Sequence, residues 1–348
     1  MIPSAHVRRV ALTLAGATLA GALAARLQLP LPWMIGPLLG TALAGVAGVR
    51  PAASPRLRNA GQWIIGVALG LYFTPEVAAR IAALAPAIVL GVVWALGLGW
   101  AFHRWLAWTH PGEARATTWF AAAIGGASEM AVLAERAGAR VDRVAAAHSL
   151  RVLIVVVTIP FAMQWSGARG ADPVPPALHA VHPGGLLALV ALTLAGVALM
   201  WRLRLPNPFV LGALAVTSAL TLSGVELSGL PPGAASVGQL FIGMALGARF
   251  TPEFARAAPR WLVAVGAGTV GMLALSAAFA WALAQAFVLH PATAVLATSP
   301  GGIAEMAITA KVLELGVPTV TAFHVVRYVA VLMLTGPMFR AADDPASP

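Results

Sequence analysis

Long apolar stretches separated by short polar segments run along the whole chain. In the first half they lie near residues 8–26, 31–49, 60–73, 81–108, 117–135 and 144–165. In the second half they lie near residues 184–201, 206–223, 237–250, 260–289, 293–310 and 319–339. Because a helix needs about 20 apolar residues to cross a bilayer, most of these stretches predict transmembrane helices. The pattern therefore predicts an all-α polytopic membrane protein.

Two stretches in each half depart from a simple spanning helix. The third is short, and the fifth contains a Gly-Gly pair followed by a Glu. Short or glycine-interrupted segments at matching places in two halves are typical of the binding region of secondary transporters. The sequence leaves open whether the third or the fifth segment of each half is the broken one.

Composition agrees with a membrane location. Of the 348 residues 59% are hydrophobic and only 10% are charged, and the mean hydropathy is +0.85. A soluble domain carries about 25% charged residues. The net charge of +10 comes mostly from arginines beside apolar segments, which we interpret as determinants of topology rather than as a nucleic-acid surface. The chain has no Cys, which excludes disulfides and thiol chemistry.

Four motifs of the first half recur in the same order in the second half, at a nearly constant offset. They are Pro30-Leu31-Pro32 with Pro206-Asn207-Pro208, Gly61-Gln62…Phe73-Thr74-Pro75-Glu76 with Gly238-Gln239…Phe250-Thr251-Pro252-Glu253, Gly125-Gly126-Ala127-Ser128-Glu129-Met130-Ala131 with Gly301-Gly302-Ile303-Ala304-Glu305-Met306-Ala307, and His148…Arg151 with His324…Arg327. We interpret residues 1–176 and 177–348 as two tandem membrane repeats, joined by a Pro-rich link at 171–183.

The distribution of basic residues favours an inverted arrangement of the two repeats. Five spanning helices and one re-entrant segment per repeat place most of the 22 Lys and Arg residues on the side of the N-terminus. Twelve full crossings would divide them almost evenly between the two sides. The positive-inside rule then predicts a 5+5 inverted repeat, with both termini in the cytoplasm. Arg8-Arg9 and the following apolar stretch also resemble a cleavable signal peptide, but the matching helix at 186–200 favours a retained first helix.

Charged side chains inside the apolar segments are the main candidates for function. Glu129 and Glu305 follow the Gly-Gly pairs, and His148/Arg151 and His324/Arg327 are three residues apart on one face of the sixth segments. An unpaired charge at the bilayer centre costs about 2.5–3.5 kcal/mol, so these groups need partners, protons or water. One interpretation is a substrate or ion site at the repeat interface. The other is a pair of Glu–Arg ion pairs that only hold each repeat together.

Small and polar residues near these charges have alternative interpretations. The Gly pairs either expose backbone groups to a ligand or allow close helix packing. Gln62 and Gln239 either contact substrate or hydrogen-bond a neighbouring helix. The candidate substrate- or ion-binding residues are Gln62, Gly125, Gly126, Ser128, Glu129, His148, Arg151, Gln239, Ser299, Gly301, Gly302, Glu305, His324 and Arg327.

The repeated Phe-Thr-Pro-Glu motif predicts a helix start rather than a catalytic site. Thr74 and Thr251 can cap a helix, Pro75 and Pro252 suit its first position, and the following Glu lies at the positive end of the dipole. The Pro-x-Pro motifs likewise predict the beginning of a helix.

Enzymatic chemistry has little support in this sequence. It contains no phosphate-binding Gly-rich loop and no Ser nucleophile elbow. No His, Asp and Glu spacing matches a zinc, copper or iron site. We therefore expect neither an enzyme nor a bound metal or cofactor.

The repeated Gly-Gly-x-x-Glu-Met-Ala, Gly-Gln-x-x-x-Gly-x-Ala-Leu-Gly and Phe-Thr-Pro-Glu motifs resemble those of the AbrB family of duplicated bacterial membrane proteins, over nearly the whole chain. Members of that family are often labelled ammonia monooxygenases, a label that the missing metal ligands argue against. The family also resembles, more distantly, the cation/proton antiporter and anion transporter superfamily. That resemblance implies inverted repeats, a scaffold with a mobile core, broken helices near the membrane midplane, a dimer and ion-coupled alternating access.

Two functional hypotheses follow. The first is an inner-membrane secondary transporter of a small solute, coupled to H⁺ or Na⁺, in which Glu129 and Glu305 bind the ion, the histidines relay protons, and Arg151 and Arg327 hold an anionic group or neutralise the Glu residues. The second is a membrane scaffold or regulatory protein without transport activity. The expected partners are a small solute or ion, the lipid bilayer and a second copy of the chain, with no nucleic acid.

Overall fold

The computed structural model describes residues 4–170 and 180–341, and within them the chain is all α-helical, with no strand. Most of the predicted 171–183 link, including His179, lies outside the described residues. The first eight helices are α1 (Ser4–Arg26), α2 (Pro32–Val46), α3 (Pro55–Gly70), α4 (Pro75–Ala83), α5 (Ala85–Thr109), α6 (Arg115–Ala122), α7 (Ala127–Arg136) and α8 (Val141–Trp165). The next eight are α9 (Pro183–Arg202), α10 (Pro208–Leu222), α11 (Ala234–Gly247), α12 (Pro252–Ala257), α13 (Pro259–Phe287), α14 (Pro291–Thr298), α15 (Ile303–Val312) and α16 (Val317–Ala341).

The predicted all-α membrane class is confirmed. Among the described residues, 6 helices are long and apolar enough to cross a bilayer: α1, α5, α8, α9, α13 and α16. Helices α2, α10 and α11 are apolar but shorter, at 15, 15 and 14 residues. The repeat and its inverted 5+5 topology stay predictions.

In the first half the third apolar segment ends at a bend and the fifth is interrupted. Helices α3 and α4 meet at a bend of 89°, and the fifth segment is divided into α6 and α7. The predicted helix starts are confirmed, because Thr74 Oγ1 accepts the Val77 N–H at 3.4 Å and Thr251 Oγ1 accepts the Phe254 N–H at 3.2 Å. Helices α2 and α10 likewise begin at the second Pro of each Pro-x-Pro motif, after Leu31 or Asn207 with positive φ.

Contacts divide the chain into two compact units that each draw on both sequence halves. Unit 1 comprises residues 1–82, 160–255 and 307–318, and unit 2 comprises residues 83–159, 256–306 and 319–348. Unit 1 contains α1–α3 and α9–α11, and unit 2 contains α5–α7, α13 and α14 with most of α8 and α16.

Glycines set the helix spacing inside unit 1. A Cβ on Gly66 would meet the Val210 carbonyl oxygen of α10, and one on Gly61 would meet the Gly238 carbonyl of α11. Gly36 has the same relation to Ala20 of α1. Such backbone-to-backbone approach is how membrane helices gain packing energy without a hydrophobic driving force.

Unit 2 has an aromatic and alanine-rich core. Phe102, Leu106, Trp119, Phe120 and Trp261 are buried there with the alanines of α6. The indole N–H groups find backbone partners, since Trp105 Nε1 donates to Ala264 O at 2.8 Å and Trp119 Nε1 donates to Thr335 O at 3.2 Å. This packing fixes α6 against α5 and α16.

Candidate functional site

Two helix breaks lie within unit 2. Helix α6 ends at Ala122 and α7 begins at Ala127, while α14 ends at Thr298 and α15 begins at Ile303. The backbone is extended at Ala123 and Gly126 and again at Ser299. Each break leaves the last carbonyl groups of the preceding helix without an intrahelical donor.

Arg151 supplies donors to the carbonyls of the first break. Its Nη1 donates to Ala121 O at 3.2 Å and to Ala122 O at 3.3 Å, and its Nη2 donates to Ala123 O at 2.8 Å. The side chain is only 2% exposed. The guanidinium thus lies at the negative end of the α6 dipole, where a cation is stabilised.

Arg327 makes the corresponding contacts at the second break. Its Nη1 donates to Ser299 O at 2.5 Å and its Nη2 donates to Gly301 O at 2.6 Å. It is 6% exposed. Arg151 and Arg327 also interact electrostatically with each other, so the two breaks belong to one charged region of unit 2.

Both histidines are held as neutral rings by their contacts. His148 Nε2 lies 2.9 Å from Phe120 O, and its Nδ1 lies 2.8 Å from Nη2 of Arg151. A carbonyl requires a donor and a guanidinium requires an acceptor, so the ring carries its proton on Nε2 only. His324 repeats this geometry with Leu296 O at 2.8 Å and Arg327 at 2.9 Å. These contacts suit histidines that position the Arg side chains. They suit the predicted role as proton relays less well.

Each Glu side chain lies against the second Gly of the Gly-Gly pair that precedes it. The Glu129 carboxylate lies where a Cβ on Gly126 would be, and Glu305 has the same relation to Gly302. Glu129 is in the first turn of α7 and Glu305 is in the first turn of α15, where the helix dipole favours an anion. Both carboxylates are half-buried.

Tyr328 is a site residue that the sequence reasoning missed. Its hydroxyl interacts with the Glu129 carboxylate, and its ring lies beside Gly126. The tyrosine is 8% exposed. One signal was available, because Tyr328 directly follows Arg327 and the chain has only 2 Tyr, whereas Val152 follows Arg151. The two halves therefore differ at this position: the phenol that lies near Glu129 comes from the second half, and the first half has no corresponding Tyr.

The remaining predicted residues are placed in three ways. Gly125 and Gly301 lie in the breaks, and the Ser299 hydroxyl donates to Leu296 O at 3.0 Å. Ser128 is exposed in the first turn of α7. Gln62 and Gln239 belong to unit 1, in α3 and α11, while the twelve other predicted site residues belong to unit 2.

In the first half the geometry favours an Arg that holds backbone carbonyls, here called the backbone clamp, over a simple Glu–Arg ion pair. The hydrogen bonds of Arg151 go to three carbonyls and a histidine, and Glu129 lies beside Tyr328. No group of three or more His, Asp or Glu residues suited to a metal occurs in the described part of the chain.

The residues matched in the family comparison include both helix breaks and the two Arg residues that contact them. The family described as "Transition state regulatory protein AbrB" matches residues 33–343. The chain belongs to the AbrB family. This match confirms the resemblance drawn from the repeated motifs.

Two relatives of this AbrB-family chain have low identity but match over most of their length. "Uncharacterized protein YhjN" of Bacillus subtilis (strain 168) is 25% identical over 338 residues, 88% of this chain and 86% of the relative. "Putative regulator AbrB" of Escherichia coli (strain K12) is 26% identical over 312 residues, 89% of each chain. No solved structure matches this AbrB-family chain.

Proposed function

We propose that this AbrB-family protein is a secondary transporter of a small anionic solute, coupled to protons, in the bacterial inner membrane with both termini in the cytoplasm. The observation that carries the proposal is the pair of helix breaks in unit 2. At each break a buried Arg contacts the carbonyl end of the preceding helix, and a Glu lies in the first turn of the following helix. Interrupted helices with charged termini are the usual binding elements of secondary transporters.

Protons fit this site better than Na⁺ as the coupling ion. Free carbonyls at a helix break are the oxygens that a transporter would offer to Na⁺. Here the carbonyls of Ala123, Ser299 and Gly301 accept from guanidinium groups. A resident cation thus takes the place that Na⁺ would need. In this proposal the half-buried carboxylates of Glu129 and Glu305 carry the coupling proton.

Charge balance supports an anionic solute. Two guanidinium groups and two carboxylates are neutral together, because Arg stays protonated in proteins. Protonation of one Glu leaves a net positive charge in unit 2, which an anion such as a small carboxylate would neutralise. Nε of Arg151 and Nε of Arg327 are buried donors without a hydrogen-bond partner in the described residues. These donors could be satisfied by water or by the solute.

Uptake into proteoliposomes tests the proposal. We expect Glu129→Gln and Glu305→Gln to abolish uptake of small carboxylates driven by an inward proton gradient, while folding is kept. Glu135→Gln, an exposed change in the same helix as Glu129, is the matched control and should transport as wild type. Uptake that needs a Na⁺ gradient, or wild-type rates in both site variants, would contradict the proposal.

The second candidate is a membrane scaffold or regulator without transport activity. It is favoured by the Escherichia coli relative, whose printed name calls it a regulator, and by the use of both Arg residues as internal backbone donors. This alternative predicts no flux of any solute. It also predicts that the Glu→Gln variants lose thermal stability, with the loss reduced when Arg151 or Arg327 is removed too.

A further inference from the structure

Unit 1 contains a groove between α1 and α2 that lies apart from the breaks just described. Its floor consists of Gly16 and Ala17 of α1 with Gly40 and Ala44 of α2, and Arg9 and Arg50 lie at one end. The cavity volume is about 250 Å³. We refer to it as the α1–α2 groove.

Small side chains along the α1–α2 groove leave open space above its floor. A Cβ on Gly16 would have no atom within 4 Å, so the space above this residue is empty of protein. The walls are apolar, and Leu12 is 62% exposed while Val49 is 68% exposed. Exposed aliphatic side chains of a membrane protein favour hydrocarbon over water, so an apolar tail suits this groove better than a polar ligand.

Two arginines line one end of the groove, and the Arg9 side chain is held against the Arg50 backbone. Arg9 Nη2 donates to Arg50 O at 2.8 Å, and both residues are exposed. Residues 1–75 contain no Asp or Glu. Two arginines that line one end of an apolar groove are complementary to a phosphate attached to an acyl chain.

We propose that the α1–α2 groove binds one anionic glycerophospholipid. The acyl chain lies over Gly16, Ala17 and Gly40, and the phosphate accepts hydrogen bonds from Arg9 and Arg50. Basic pockets between membrane helices are typical sites for anionic headgroups. The assignment needs neither transport nor the residues of unit 2.

Native mass spectrometry and thermal unfolding of the full chain in mild detergent test this site. We expect phosphatidylglycerol to give a discrete one-lipid adduct and to raise the melting temperature, because a ligand that binds the folded form stabilises it. Phosphatidylcholine should bind more weakly, and glycerol 3-phosphate without a tail should not stabilise the protein.

Variants separate the headgroup contact from the tail contact. Arg9→Gln and Arg50→Gln should each lower phosphatidylglycerol affinity by about fivefold. Gly16→Leu should fill the slot and remove the one-lipid adduct without a clash in the protein. Arg26→Gln, at the other end of α1, and Gly97→Leu, at another open glycine, are the matched controls and should bind as wild type.

Three results would overturn the lipid site. One is equal binding of phosphatidylglycerol and phosphatidylcholine. Another is full stabilisation by glycerol 3-phosphate, which would indicate a free phosphate site instead. The third is unchanged lipid affinity in Gly16→Leu together with both Arg variants, which would place any bound lipid elsewhere.

Discussion

Residues Arg151 and Arg327 explain how a helix can be interrupted inside a buried region. Each break removes intrahelical donors from carbonyl groups, and a buried carbonyl without a donor costs about 1–3 kcal/mol. The planar guanidinium fork reaches several carbonyls at once, as Arg151 does with Ala121, Ala122 and Ala123. The neighbouring His148 accepts one of the Arg N–H groups and orients the fork.

The fork geometry predicts that Arg151→Lys is not conservative. A Lys ammonium is a point charge with three donors and cannot reproduce the fan of contacts to three carbonyls and His148. We expect a loss of about 1–3 kcal/mol in the free energy of unfolding, from carbonyls left without donors. Thermal unfolding in detergent measures it, and Arg136→Lys, an exposed residue at the end of α7, is the control. An equal, small effect of both changes would contradict the clamp.

The identity of these residues could be predicted from the sequence, but their partners could not. Glu129, His148 and Arg151 are conspicuous because charge is rare in apolar segments. Whether the Arg points at a carboxylate or at backbone oxygens depends on the path of the chain between α6 and α7, which the Gly-Gly pair leaves undetermined. Tyr328 was missed because its one signal, its place directly after Arg327, has no counterpart after Arg151, where Val152 follows.

At the scale of helices, glycine serves two different purposes in the two units. Gly66 in unit 1 faces the rigid carbonyl of Val210 in a neighbouring helix. Gly126 in unit 2 faces the carboxylate of Glu129, which is the far end of a flexible side chain. The repeated glycines look alike in the sequence, because spacing alone does not tell a packing glycine from one that makes room for a charge.

We therefore predict opposite phenotypes for two Gly→Ala changes. Gly66→Ala forces α3 away from α10 and should cost about 1–3 kcal/mol in unfolding free energy, as overpacking does. Gly126→Ala displaces the end of the flexible Glu129 side chain and shifts the Tyr328 ring slightly, so it should cost less than Gly66→Ala, about 1 kcal/mol, and should strongly reduce proton-driven uptake. Unfolding and uptake are measured on both variants, with Gly97→Ala as the control. A destabilised Gly126→Ala that retains transport would contradict this division.

At the scale of the whole molecule, the class of architecture follows from the sequence, but the two compact units do not. The apolar segments and the interrupted fifth segment follow from hydropathy and from Gly-Gly pairs. The division into units with segments from both halves depends on which helix faces pack, and apolar helices present few polar residues that would mark those faces. The bend between α3 and α4 was an open alternative, because residues 71–74 can either bend the chain or continue a span.

An ionic and aromatic cluster joins the segment after α5 to the first turns of α8 and α13. Glu113 Oε1 lies 2.9 Å from Nη1 of Arg143, and that guanidinium lies 5.6 Å from the ring centroid of Trp261. The His110 ring packs edge-on against the same indole at 5.2 Å. The cluster ties the end of α5 to α8 and α13, so its stability bears on the whole unit.

This cluster predicts that unit 2 loses stability in mild acid. Burial, and then the nearby Arg143, hold the pKa of His110 below its usual value, against an opposing effect of Glu113. The unfolded chain therefore binds the proton more readily, so stability is constant above about pH 7 and falls as the pH drops through the ordinary His value of about 6.5. His110→Gln removes this dependence. The melting temperature of wild type should fall more steeply than that of the variant between pH 7.5 and 5.5 (roughly the range in which His titrates), whereas the exposed His6→Gln control should follow wild type. Parallel curves for wild type and His110→Gln would show that His110 does not link folding to pH.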